Sequence, residues 1–124
     1  MIKSGLVAMI ALLICSPAIS AAGDMKVETF LAKADVLKAK GMLALASSDI
    51  GVLKAEGKAA GEEYRARIKS DKAKRLPPHS CPPTKAALKS DDLLAHFRTY
   101  SATQRKQISV KTAFAEMMKK RYPC

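Results

Sequence analysis

Two side-chain types in this 124-residue chain suit thiol or metal chemistry: three cysteines and two histidines. His79 and Cys81 form an H-x-C pair, half of a zinc site, but zinc needs about four ligands and a deprotonated thiol. His96 with Cys81 or Cys124 would supply a base and a nucleophile, again only if the thiol is free. No strand–G-x-S-x-G elbow, phosphate-cradling glycine loop or pair of catalytic carboxylates accompanies them. Whatever chemistry there is depends on the state of the cysteines, and that depends on the compartment.

The first two dozen residues address the compartment. Lys3 forms a short positive start, Gly5–Cys15 is an unbroken apolar run, and Ser16–Ala22 is built of small residues with cleavage positions after Ser20, Ala21 or Ala22. This is the layout of a secretory signal peptide, and the apolar run is shorter than the ~20 residues a membrane span requires. Bulky Ile14 before Cys15 does not suit a lipoprotein leader. The expectation is therefore residues 1–22 as a cleaved leader and a periplasmic mature chain.

Removal of Cys15 with the leader leaves Cys81 and Cys124. In an oxidising compartment these two have one intramolecular pairing, with an intermolecular bond or free thiols as the alternatives. A disulfide would tie down a terminal cysteine that would otherwise fray, and would be worth roughly 4 kcal/mol by closing a long loop. It would also consume the thiol that either zinc or nucleophilic chemistry needs. The chain is accordingly expected to be no enzyme, with no metal and no cofactor.

The elements that must position these cysteines read as helices. Alanine and lysine are abundant, β-branched residues few, and tryptophan absent, so a modest core must be built from Leu, Ile, Val, Met and Ala. Val27–Gly41 places Phe30, Ala34 and Leu37 on one face, beside Val27 and Leu31. Met42–Ala46 is a short apolar bridge expected to be buried. Ser47–Asp49 carries N-cap chemistry for a long helix from about Asp49 to Lys72, with Ile50, Leu53, Ala60, Tyr64 and Ile68 as its stripe. Gly57 and Gly61 within it either allow close approach of another backbone or mark a weak spot in the helix, and Asp71 can pair with Arg75 at i,i+4.

Leu76–Pro83 comes next, with two proline pairs around His79–Cys81; it is expected to be stiff and extended, either a rigid connector carrying the disulfide or a projecting loop pre-organised for a partner. Ser90 then reads as the N-cap of a helix carrying Leu93, Leu94, Phe97 and Tyr100. Ser101–Gln107 reads as a polar turn. Ile108–Tyr122 reads as a last helix with Val110, Ala113, Phe114, Met117 and Met118 inward, ended by Pro123. The expected fold is all-α: one domain over residues 23–124 of four or five helices, with an N-terminal helical part (25–75), a connector (76–83) and a C-terminal helical pair (84–124) closed by the disulfide.

Charge narrows the partner. The chain carries 22 Lys and Arg against 11 Asp and Glu, a formal +11, and Lys3 is the only charge in the leader. Such a bias suits an acidic protein surface or an anionic envelope; export argues against nucleic acid. Lys72, Lys74, Arg75 and His79 combine a cationic approach with a proline-stiffened segment, which makes them the candidate partner-binding residues. Self-association is left open.

The residues from Ser80 to Cys124 resemble the closing module of the Rap/Tai immunity proteins. The matching positions are Cys81, Pro82, Leu93, Leu94, Tyr100, Arg105, Ala113, Tyr122, Pro123 and Cys124: a Cys-Pro start, a short helix ending in an aromatic, an arginine in the turn, and aromatic-Pro-Cys at the close. The resemblance implies a small helical periplasmic protein that binds and blocks a peptidoglycan amidase delivered by type VI secretion. The expected function is thus a periplasmic binding or inhibitor protein with an acidic protein partner. The other reading is a structural or stress-related protein that binds anionic components of the envelope.

Overall fold

A computed structural model describes residues 21–124 of the chain; the expected leader lies outside them except for its last two residues. The described residues form five α-helices and no strand: α1 (Val27–Lys40), α2 (Ser48–Ala73), α3 (Ser90–Arg98), α4 (Ala102–Gln107) and α5 (Val110–Arg121). A 3-10 turn, Gly41–Ala46, joins α1 to α2. Cys81 is bonded to Cys124, 43 positions away. The all-α fold and its disulfide are those the sequence implies.

Local chemistry accounts for the boundaries. Ser47 caps α2 by accepting the Asp49 N–H, and Ser109 caps α5 by accepting the Thr112 N–H. The first two amides of α5 are satisfied from further away: Val110 N–H donates to the Met25 carbonyl at 2.8 Å and Lys111 N–H to the Gly23 carbonyl at 3.0 Å. A helix N-terminus leaves such donors unpaired, and here the segment before α1 takes them. Val27 N–H returns a bond to the Ile108 carbonyl at 3.0 Å. The N-terminal end of the described chain is therefore stitched along the start of α5.

One core unites both halves of the sequence. Val27, Phe30 and Leu31 of α1, Ala60, Tyr64 and Ile68 of α2, Phe97 of α3, and Val110, Ala113, Phe114, Met117 and Met118 of α5 are buried together. Phe30 meets Phe97 edge to face with ring centroids 5.3 Å apart, a favoured aromatic geometry. The five inward positions of α5 follow its helical period, as does the stripe of α2, although Ile50 and Leu53 are only half-buried.

Four local expectations are corrected. The Met42–Ala46 bridge is not buried: only Ala44 is, while Met42, Leu43 and Leu45 are 83%, 77% and 76% exposed. α1 stops at Gly41 (φ +57) and α2 starts at Ser48, after its cap Ser47, so the tight turn between them directs one small side chain inward. Ser101–Gln107 is a helix rather than a turn, because Ser101 and Gln104 cap each other reciprocally. Ser90 opens α3 as its first residue; the cap is Lys89, whose N–H is taken by the Asp92 carboxylate at 3.0 Å. Gly57 and Gly61 admit side chains, not a backbone: a Cβ there would meet Leu93 at 4.0 Å and Phe114 at 3.8 Å, ordinary contacts.

Candidate functional site

The expected partner-binding residues cluster at the C-terminal end of α2. Lys72, Lys74 and Arg75 are exposed there. Arg75 leaves the helix at φ +55, the one positive φ outside glycine among the described residues. That turn takes it out of i,i+4 register, so the expected Asp71–Arg75 pair is not among the ion pairs of the described residues. Instead Leu76 N–H closes onto the Asp71 carbonyl at 2.9 Å, and the chain reverses.

The proline segment then folds back rather than projecting. The Tyr64 hydroxyl lies 2.8 Å from His79 Nδ1 and is also hydrogen-bonded to Ser80 Oγ. Ser80 is 1% exposed, and the His79 ring stands edge to face on Tyr64. Cys81 N–H donates to the Tyr122 carbonyl at 2.8 Å, beside the disulfide. Burial first, then the nearby Arg67 and Lys119 charges, hold the His79 pKa below its usual value against Asp71 and Glu116. A neutral ring with its proton on Nε2 fits: Tyr64 donates to Nδ1 and Ser80 donates to the Tyr64 oxygen. His79 is thus a latch of the connector, not a free side chain beside Arg75.

The second histidine braces α3 against α5. His96 Nε2 lies 2.9 Å from the Tyr100 hydroxyl, which donates to Glu116 Oε2. Burial lowers the His96 pKa, and burial with the adjacent Glu116 carboxylate raises that of Tyr100 well above the ordinary phenol value. These shifts favour the neutral imidazole and the protonated phenol. Both cysteines among the described residues are in the disulfide, so neither supplies a nucleophile to His96 nor a thiolate to zinc. Among the described residues no three His, Cys, Asp or Glu side chains gather as a metal cluster, and no helix is long and apolar enough to cross a membrane.

Three surface features remain. A groove of about 490 Å³ runs between α1, α2 and α3, floored by Phe30, Leu37, Leu53, Leu93 and Leu94 and edged by Lys54, Lys58 and Lys89. A second hollow of about 330 Å³ meets it at Leu88 and Phe114 and carries Arg65, Lys69 and Lys72. No acidic residue lines either. At the opposite end of α2 from Lys72 stands the 3-10 turn, whose Met42, Leu43 and Leu45 form an apolar knuckle. Residues 36–48 around it carry Lys38 and Lys40 and no acid. The 26 residues of α2 separate the two ends by about 39 Å.

The knuckle is not legible in the sequence because "MLALA" looks like core. A signal is nonetheless present: Gly41 and Ser47 punctuate both sides, leaving too few residues for a helical face. Glu56 is equally hidden; it is 8% exposed and receives the Gly23 N–H at 2.5 Å. It lies on the α2 stripe between Leu53 and Ala60, where a carboxylate is out of place.

No protein-family model, curated protein or solved structure matches this chain.

Proposed function

We propose that the protein is an exported, non-catalytic binding protein of the periplasm that inhibits an acidic protein partner by inserting the Met42–Leu45 knuckle into a cleft. The finer form is the one the Rap/Tai resemblance implies: immunity against a type VI-secreted peptidoglycan amidase. The observation that carries the reading is the knuckle itself. Three large apolar side chains within one short turn stand exposed between two helices, and such a cluster marks an interaction surface more often than an isolated exposed leucine does. Its setting beside Lys38 and Lys40, with no acid across residues 36–48, complements a cleft with an apolar floor and an acidic rim. The short turn, pinned by a helix at each end, loses little entropy on docking.

The same charge pattern favours the second reading, a bilayer with anionic head groups: apolar residues enter the interface while flanking lysines meet the phosphates, each worth about 1 kcal/mol near such a surface.

One titration separates the two. The disulfide-bonded protein is added to a type VI peptidoglycan amidase, with amide hydrolysis as the readout, and in parallel to vesicles of anionic phospholipid. Saturable inhibition at one-to-one stoichiometry, weakened at least about 30-fold by Leu43→Asp, is expected. Graded, salt-sensitive vesicle binding without inhibition would assign the knuckle to the membrane instead. Retention of full inhibition by Leu43→Asp would remove the knuckle from the interface.

A further inference from the structure

Glu56 is a buried carboxylate without a cation. It is 8% exposed, and among the described residues no Lys, Arg or His stands within salt-bridge distance of it. Its partner is the backbone N–H of Gly23, 2.5 Å from Oε2. Buried carboxylates are ordinarily paired with a positive charge, since an amide only partly replaces the water they lose.

The chain changes character at that same nitrogen. From Gly23 onward it is built into the bundle: Gly23 is buried at φ +96, its carbonyl takes the Lys111 N–H at 3.0 Å, and Asp24 pairs with Lys111 at 2.7 Å. Ala21 and Ala22 before it are exposed, and one turn bond, Asp24 N–H to the Ala21 carbonyl at 3.1 Å, connects them to the bundle. Ser20 and Ala22 also stand at the −3 and −1 positions that a signal peptidase requires to be small, if the cut falls after Ala22.

We infer that export processing cuts between Ala22 and Gly23 and that the new terminus completes the fold by forming a buried ion pair with Glu56. A signal peptidase adds water across the Ala22–Gly23 amide. The leader departs with a carboxylate on Ala22, and the Gly23 nitrogen takes up protons to become an ammonium. The donor already aimed at Glu56 then carries a full positive charge, and a charge-assisted bond replaces a neutral-donor one. The Ala21 turn bond is given up with the leader. In the uncut chain glycine suits the position because its left-handed φ is admitted without strain. Uncut, the described residues offer Glu56 the Gly23 amide and no cation; cut elsewhere, the ammonium lies away from the carboxylate. Processing and folding stability are thereby coupled. The inference rests on the export reading above.

The test begins with the full chain expressed with its own leader, recovered from the envelope fraction and weighed intact. A mass for residues 23–124 with one disulfide is expected. A chain beginning at Ala21 or Ala22 overturns the cut site, and an uncut chain overturns the export reading itself. Glu56→Gln is then compared in chains beginning at Gly23 and at Ala21. It should lower Tm by about 5 °C more in the first than in the second, the difference between a charged and a neutral hydrogen bond in a domain of this size. Equal shifts overturn the ion pair. Acylation of the α-amine supplies a readout that does not need the variant to fold. The Gly23 amine of the native protein should react at least about 10-fold more slowly than in urea, as a buried, paired ammonium must, and equal rates would place it in solvent.

Discussion

The two ends of α2 invert what their sequences advertise. The C-terminal end runs into two proline pairs behind the cation-rich stretch from Arg65 to Arg75, a composition suited to a projecting arm. The segment after it is instead fastened to the bundle, held by Tyr64 to His79 and Ser80, by Cys81 to Tyr122, and by the disulfide. The N-terminal end comes after an apolar pentapeptide that ought to be core, and there three large apolar side chains face solvent. Proline stiffness limits the paths a segment can take without saying which surface it lies on. Apolar character creates a drive to be buried without guaranteeing that the chain's own geometry can meet it.

The comparison can be broken at four points. The largest effect belongs to Cys124→Ser, which releases the fastened end and should cost about 2–5 kcal/mol of unfolding free energy. Denaturant titration with and without reductant checks it, since reduction of the wild type should reproduce the loss. A midpoint unchanged by either would mean that the latch holds without the disulfide. Tyr64→Phe comes next. It removes the hydroxyl shared by His79 and Ser80 and strands the buried Ser80 oxygen, a loss of about 1–3 kcal/mol. A variant as stable as wild type would show that packing alone seats the connector.

Acidification should loosen this end, and the His96 brace between α3 and α5, more gently. His79 and His96 both have folded pKa values below the ordinary 6.5, burial being the first cause in each. Between the folded and unfolded values the unfolded chain binds more protons, so stability rises with pH. The contribution is fully present above about 6.5 and is lost as pH falls through the folded pKa. Urea midpoints tracked downward from neutral pH should decline across this window, and less steeply in His79→Asn. An identical slope in that variant would leave His96 as the sole source. The smallest stability effect is expected at the knuckle, where Leu43→Asp should change unfolding free energy by no more than about 0.5 kcal/mol while disabling partner inhibition. Substantial destabilisation there would mean that Leu43 supports the fold.

The helices, their inward stripes and the pairing of the two cysteines were legible in the sequence, because these depend on properties a short stretch carries with it. The period of Val110, Ala113, Phe114, Met117 and Met118 is a local pattern, and so is a serine preceding a helix. Once Cys15 is set aside with the expected leader, Cys81 and Cys124 have one intramolecular partner choice. Even the helix after Ser101 was written locally, in the Ser101–Gln104 pair. Tertiary structure alone decided the rest, because those features depend on residues distant in sequence. Whether Leu43 is covered depends on what another element brings over it, and nothing in "MLALA" encodes that. Whether His79 projects depends on Tyr64, fifteen positions earlier. Where the buried Glu56 carboxylate finds its hydrogen-bond partner depends on Gly23, thirty-three positions away. Periodicity and capping act over one or two turns of chain, whereas burial, latching and charge compensation are set where separate segments meet.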